Sequence, residues 1–330
     1  MLTFLARRLA LAVLTVLFIS VATFAIIHLP PGDYVSSYVA QMAASGSAIT
    51  QEEADALRHQ YGLDQPLLVQ YAKWMILAVQ GNFGQSMEWH RSVYAVIGDR
   101  LLLTMVVSLC AILTTWICAL PIGIYSAVRQ HSFGDYLFTL FGFIGLAVPS
   151  FLIALVLMYV GFRYFGTNIG GLFSPQYAEA PWTWGRVQDL AWHLPLPALI
   201  LGLGSTAQVM RVMRANLLDE LRKPYLVTAL ARGMPLWRAI LKYPVRVALN
   251  PFISTIGYSL PYVVSGSVII SLVLGLPTVG PVLYKSLVAQ DLFLAGTIVL
   301  MLGTLTVVGT LLSDLLLIAI DPRIRLGNAR

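Results

Sequence analysis

Six stretches of the chain run without Asp, Glu, Lys or Arg for about the length a bilayer demands. They are Leu9 to His28, Leu101 to Val128, Tyr136 to Phe162, Leu194 to Met210, Val247 to Tyr284 and Leu292 to Ser313. A hydrocarbon core about 30 Å thick takes roughly 20 apolar residues in a helix. Helices and closed barrels alone satisfy their backbone polar groups in lipid. The pattern predicts an all-α membrane protein with about six transmembrane helices. The fourth run is short but extends through Val212 and Met213 if Arg211 snorkels. The fifth is too long for one span and predicts a re-entrant or loop part after Gly275.

The first run follows Arg7 and Arg8, as the core of a signal peptide would. It is about 19 residues long, beyond a typical signal core. No small-x-small cleavage site precedes the Pro30-Pro31-Gly32 turn, so a retained first span is expected. The polar stretches then divide the chain into an N-terminal transmembrane helix (residues 1–28), a small cap on the outer face (29–99) and a five-helix core (100–330). The cap holds the acidic Gln51-Glu52-Glu53-Ala54-Asp55 stretch and a helix-like segment near Gln70 to Val79. A second outer segment, Gly161 to His193, is rich in Gly and Pro and predicts an irregular loop. Its Trp182, Trp184 and Trp192 read as an aromatic belt at the membrane surface rather than a ligand cage.

Composition agrees with burial in lipid. The chain is 58% hydrophobic and 11% charged, with a mean hydropathy of +0.78, whereas soluble domains carry about a quarter charged residues. The basic residues sort by loop. Arg7 and Arg8, Arg129, the Arg211–Arg246 segment and the tail with Arg323, Arg325 and Arg330 fall on one side. Basic loops stay in the cytoplasm, so both termini are expected there. This asymmetry accounts for the net charge of +6 without a nucleic-acid partner. Cys110 and Cys118 lie about 12 Å apart along one helix, too far for a disulfide.

The inner loop between the fourth and fifth runs carries the most information. Over residues 211–246, Pro224 opens one short helix, Gly233 and Pro235 break it, and a second follows with Trp237, Ile240 and Leu241 on one face. Two short helices hinged at Gly233 are expected. Their apolar faces sit in a segment too charged to span, and must pack on the spans or on a partner.

Catalytic signatures are missing from the sequence. No GxxxxGK[ST] occurs, because none of Lys73, Lys223, Lys242 or Lys285 follows a glycine. No HExxH and no GxSxG is present. A membrane enzyme would have to act with none of these. A self-contained channel or secondary carrier would show midplane charge or an inverted repeat, and neither is visible. Asp314, in the last run, is the one acid within a span, and reads as a structural acid rather than a proton relay. Small residues in the fifth run (Ser259, Ser265, Gly266, Ser267 and Ser271), with Tyr262 among them, either line a solute pathway or pack helices closely.

Several patterns recur together. Tyr225, Thr228, Ala229, Ala231 and Gly233 follow Y-x-x-T-A-x-A-x-G. Gly62-Leu63-Asp64-Gln65-Pro66 precedes Tyr71, Trp74, Gly81, Phe83, Gly84 and Ser86. Arg100-Leu101 with Thr104, His193-Leu194 with Pro197-Ala198, and Asp321-Pro322-Arg323-Ile324-Arg325 complete the order. In these the chain resembles, over nearly its whole length, the permease subunits of binding-protein-dependent ABC importers. The similarity is to the dipeptide/oligopeptide/nickel group, first-permease type. Where that family often carries a glutamate, a phenylalanine and P-G-x-G, this chain has Ser271, Leu274 and Leu276-Pro277-Thr278-Val279-Gly280, and Asn82 stands where Asp is common. The alternative of an oligosaccharide or opine cargo therefore stays open beside a peptide.

The resemblance implies the type I importer permease architecture in a bacterial inner membrane. It also implies a homologous second permease, two ATPase subunits that bind ATP and Mg, and a periplasmic solute-binding protein. This chain would hold no cofactor or metal. The ATPase-coupling residues implied are Tyr225, Thr228, Ala229, Ala231, Arg232, Gly233, Met234, Pro235 and Arg238.

Overall fold

A computed structural model describes residues 2–47, 49–166, 169–252 and 268–320. Every regular element among them is helical. The chain divides into two compact units, Met1–Thr104 with Thr278–Val308, and Met105–Pro277 with Gly309–Arg330.

In the first unit, α1 (Leu2–His28) spans the first apolar run. Residues 29–99, the expected cap, then fold into three helices, more than the one expected. Asp33 caps α2 (Tyr34–Ala44) by accepting the Ser36 N–H at 2.7 Å. Thr50 and Glu53 form a reciprocal capping box on α3 (Gln51–Tyr61), which ends at Gly62 with φ +69°. That left-handed position favours glycine. The third helix, α4 (Leu67–Val79), follows Pro66. Arg58 of α3 reaches back to Asp33 at 3.0 Å and ties α3 to the start of α2. Trp74 of α4 is buried against Phe24 and Ile27 of α1, and against Leu292 and Ala295 farther along the chain. Ser20 of α1 and Tyr71 of α4 share a hydrogen bond of 2.8 Å.

The helix α5 (Val93–Val128) is broken at Gly98, whose φ of 7° and ψ of −113° are not helical. The helix starts at Val93, but the apolar run begins only at Leu101 because Asp99 and Arg100 follow the break. Residues 93–97 pack with Val279, Val282, Leu294 and Ile298 in the first unit. The last two helices of that unit are α13 (Val279–Val288) and α14 (Leu292–Ile320), of which α14, like α5, also contributes to the second. The Thr104 hydroxyl accepts the Val279 N–H at 2.9 Å and so caps α13. Asp291 caps α14 and is fully buried. It accepts from Leu294 N–H at 3.1 Å, Glu88 N–H at 3.2 Å and Ser86 Oγ at 2.5 Å.

In the second unit, the third apolar run is not one helix. It is α6 (Phe133–Ala147) and α7 (Ser150–Phe165), bent by 98°. Pro149 has no N–H and drives Val148 into extended backbone, at φ −92° and ψ 123°. The Gly161–His193 segment is more ordered than a loop, because Trp184–His193 forms α8 with Thr183 at its N-cap. Arg186 is 5% exposed, its guanidinium lying 4.7 Å from the Phe173 ring and 4.4 Å from Trp182. It donates to the Ala180 and Ala178 carbonyls. Trp182 packs on this clamp while remaining partly exposed, and Trp184 and Trp192 are more exposed still. The Gly171 N–H donates to the Leu274 carbonyl at 2.7 Å.

Next come α9 (Pro195–Leu221), α10 (Pro224–Ala231), α11 (Leu236–Lys242) and α12 (Pro244–Ala248). Residues 268–273 are helical, and the chain turns at Gly275 with φ +62°, the break expected in the fifth run. Among the described residues, four helices are long and apolar enough to cross a membrane, or five if the bent pair counts as one span. Most of the remaining predicted span falls on residues 253–267, outside the described residues.

Candidate functional site

The predicted coupling loop, residues 211–246, is built on the end of α9. Leu221 closes that helix, and Pro224 opens α10 at a position where a missing N–H costs nothing. Leu226 and Ala229 turn inward and join Met213 and Leu217 of α9, Ala127 of α5, Ala239 and Ile240 of α11, and Val245 and Ala248 of α12 in one apolar cluster. The two short helices are therefore seated on the spans rather than hanging free. The face expected on α11 is split. Ile240 is buried, whereas Trp237 and Leu241 point outward together with Leu236. The neighbouring Ala239 takes the second buried position, so the inward stripe lies one residue round from the expected one.

The hinge itself follows from Gly233. Its φ is +82°, and its N–H bonds the Leu230 carbonyl at 2.9 Å while Met234 N–H bonds Ala229 at 3.2 Å. A Cβ built on Gly233 would meet nothing within 4 Å, so the left-handed turn, not close packing in this chain, calls for glycine here. Pro235 then starts α11. Tyr225 donates its hydroxyl to the Glu220 carboxylate across the α9–α10 turn. Burial, and then the Glu220 carboxylate beside it, push the Tyr225 phenol above its ordinary range. Arg238 lies over the Trp237 ring at 5.0 Å and Lys242 over Tyr243 at 5.6 Å.

These residues enclose an open concavity of about 880 Å³. Of the predicted coupling residues, Tyr225, Thr228, Ala229, Arg232, Gly233, Met234, Pro235 and Arg238 line it. Ala231 is exposed beside it without lining it. With Arg232, Arg238 and Lys242 at its wall, the concavity suits an acidic, partly apolar partner surface better than a small neutral ligand.

Of the predicted pathway residues, Ser271 falls within the described residues. Ser259, Tyr262, Ser265, Gly266 and Ser267 lie outside the described residues. Ser271 is fully buried, and its hydroxyl finds no hydrogen-bond partner among the described residues. Asp314 sits half-buried on α14. The tail motif, Asp321 to Arg325, also lies outside the described residues.

One feature beneath the hinge went unread in the sequence. Asp135, in the first turn of α6, is almost fully buried and accepts from Arg214 of α9, at 3.2 Å from Nε and 3.1 Å from Nη2. His131 N–H adds a third bond at 3.0 Å. This two-pronged pair joins α6 to the stretch of α9 that carries the hinged helices. The available signal was Ser132, three residues before Asp135, which marks a helix start.

Known proteins place the chain. Residues 119–326, which include the hinge, match the model of the family described as binding-protein-dependent transport system inner membrane component. Residues 1–109 match the N-terminal model of the same transport systems' membrane component. A protein of Brucella ovis named as a peptide permease is 34% identical over 327 residues, covering 98% of this chain and 99% of that one. The oligopeptide transport system permease protein AppB of Bacillus subtilis is 32% identical over 325 residues, with the same coverage. The dipeptide transport system permease protein DppB of Escherichia coli is 28% identical over 341 residues, again covering 98% and 99%. The chain belongs to the family of inner-membrane components of binding-protein-dependent transport systems.

Proposed function

We propose that this chain is the first-type permease of an ATP-driven importer and forms half of the transmembrane path for a di- or oligopeptide. The relatives' names, peptide, oligopeptide and dipeptide permease, support that cargo over an oligosaccharide or opine. A second, homologous permease supplies the other half of the path. A periplasmic solute-binding protein delivers the cargo. Two ATPase subunits, which bind the ATP and Mg, dock on the cytoplasmic side. Both termini lie in the cytoplasm, as the basic loops require. The N-terminal span (1–28), the cap (29–99) and the core (100–330) are the working parts, with residues 211–246 as the coupling loop. The small residues of the fifth run (Ser259, Ser265, Ser267 and Ser271), with Tyr262, line the path.

The observation that carries this reading is the hinged pair α10–α11, packed on α9 through one cluster yet presenting Val227, Leu236, Trp237 and Leu241 outward. A stiff base lets the pair pass displacement from a partner to the spans, and its outward apolar face gives that partner a surface to grip. Rim charges such as Arg232 and Arg238 contribute orientation more than affinity.

Gly233→Val tests it. A β-branched residue in the left-handed region costs on the order of 1–2 kcal/mol and re-aims α11. In the reconstituted importer, uptake should fall at least tenfold while the chain's membrane abundance and the ATPase rate persist. Normal ATP-coupled uptake in this variant would remove the hinge from the mechanism.

A further inference from the structure

A second concavity lies in the first unit, between α2, α13 and the loop around Glu88. Its volume is about 370 Å³, within the range of small-ligand pockets. Tyr34, Tyr38 and Tyr284 supply ring walls, and Glu88 and Lys285 line it with opposite charges. Neither charge forms an ion pair among the described residues.

The walls are held from behind. The Tyr34 hydroxyl donates to the Met87 carbonyl at 2.8 Å, and its ring stacks on Tyr38 at 5.9 Å. The backbone of Glu88 is fixed by its N–H bond to the buried Asp291 carboxylate. Burial raises the Asp291 carboxyl above its usual range, although the Ser86 hydroxyl and the backbone N–H groups pull it down. The Ser37 hydroxyl bonds Gln290 at 3.2 Å and anchors α2 behind the opening. An aromatic recess whose Tyr34 and Glu88 side is held in place, with one carboxylate and one ammonium that form no ion pair with each other, is complementary to a ligand carrying both charges. Ring faces attract an ammonium, more strongly where it is desolvated, and the Glu88 carboxylate adds its own charge to that attraction.

We infer that this recess is a recognition site for the zwitterionic form of a short peptide, with Glu88 and the tyrosine rings taking the α-ammonium and Lys285 the α-carboxylate. The inference rests on the proposed peptide cargo and places on the permease itself an outer site that the peptide meets before the transmembrane path.

The test uses the full chain in nanodiscs with alanylalanine, and with its N-acetyl, C-amide derivative, which keeps the backbone but carries no charge. Saturation-transfer NMR should detect the dipeptide and not the derivative. Glu88→Gln and Lys285→Met should each weaken binding at least tenfold without lowering the melting temperature. Absent binding, or binding that ignores ligand charge and both variants, overturns the site. ATP-driven uptake of alanylalanine by the assembled importer separates the two readings. Uptake without charge-dependent binding to the chain sinks the site and leaves the peptide cargo standing. Charge-dependent binding without uptake does the reverse. If the solute-binding protein alone shields Lys285 from acetylation and the dipeptide has no effect, the recess is a protein-docking face and the inference fails.

Discussion

Asp33 and Asp291 belong to the same unit, yet their surroundings drive them apart. Burial pushes the Asp33 carboxyl up, but the Ser36 hydroxyl and N–H and the Arg58 guanidinium outweigh it and hold the group below its usual range. A lowered folded value means the unfolded chain binds more protons in the acid window, so stability falls as pH drops. Asp33 should therefore support the α2–α3 contact fully above about pH 4 and lose that support as pH falls through its lowered value. The loss is about 1 kcal/mol, the scale of a helix cap. Asp33→Asn should flatten this part of the pH dependence. Urea unfolding of the micellar protein between pH 5 and pH 3 checks it, and equal slopes in both proteins would remove Asp33 as the cause. Asp33, Asp135 and Asp291 all stand at or near helix starts, which the sequence displays. Their partners do not follow from it. Arg58, Arg214 and Ser86 lie 25, 79 and 205 residues away, and no local period sets such pairings.

At the scale of elements, two glycines govern how α5 and α9 meet. A Cβ on Gly123 would stand 2.9 Å from the Met210 carbonyl and 2.8 Å from Met213 Cβ; one on Gly202 would stand 2.8 Å from Thr115 Oγ1. Small residues let helix backbones approach in lipid. Thr115 uses the closeness to bond the Gly202 carbonyl and Ser205, each at 3.1 Å. Such a bond in a membrane contributes on the order of 0.6 kcal/mol. Gly123→Leu should separate the two helices, cost about 1–3 kcal/mol by overpacking, and unseat the hinged pair from Met213. A lower melting temperature in detergent together with weakened coupled uptake is expected. An unchanged melting temperature would show that the helices do not rely on this approach. The apolar runs made the spans legible because hydropathy reports burial in lipid directly. The same measure hid the 98° bend, since residues 136–162 stay apolar straight through Pro149. Gly and Pro around it likewise concealed α8.

Across the whole molecule, the segregation of basic residues and the near-absence of charge in the spans set the terms. The sequence carries no GxxxxGK[ST] signature and few charges in its apolar runs, and the reading proposed above takes the driving energy from partner subunits. Reconstituted alone in liposomes, the chain should accumulate no labelled dipeptide against a gradient, whatever ion gradient is imposed. Accumulation measured there would return the chain to the class of self-sufficient carriers. Its place in the family was readable because the motifs keep their order from Gly62 to Arg325, and relatives align over 98% of its length. The two compact units were not readable, because each draws on segments far apart in the chain and both take part of α5 and α14.

The short bond from the Gly171 amide to the Leu274 carbonyl has a further consequence. It staples a surface loop, already stiffened by the Arg186 clamp, to the last residue before the left-handed turn at Gly275. Any displacement of that loop is passed through this single bond to Leu274, inside the fifth apolar run, just where the chain turns.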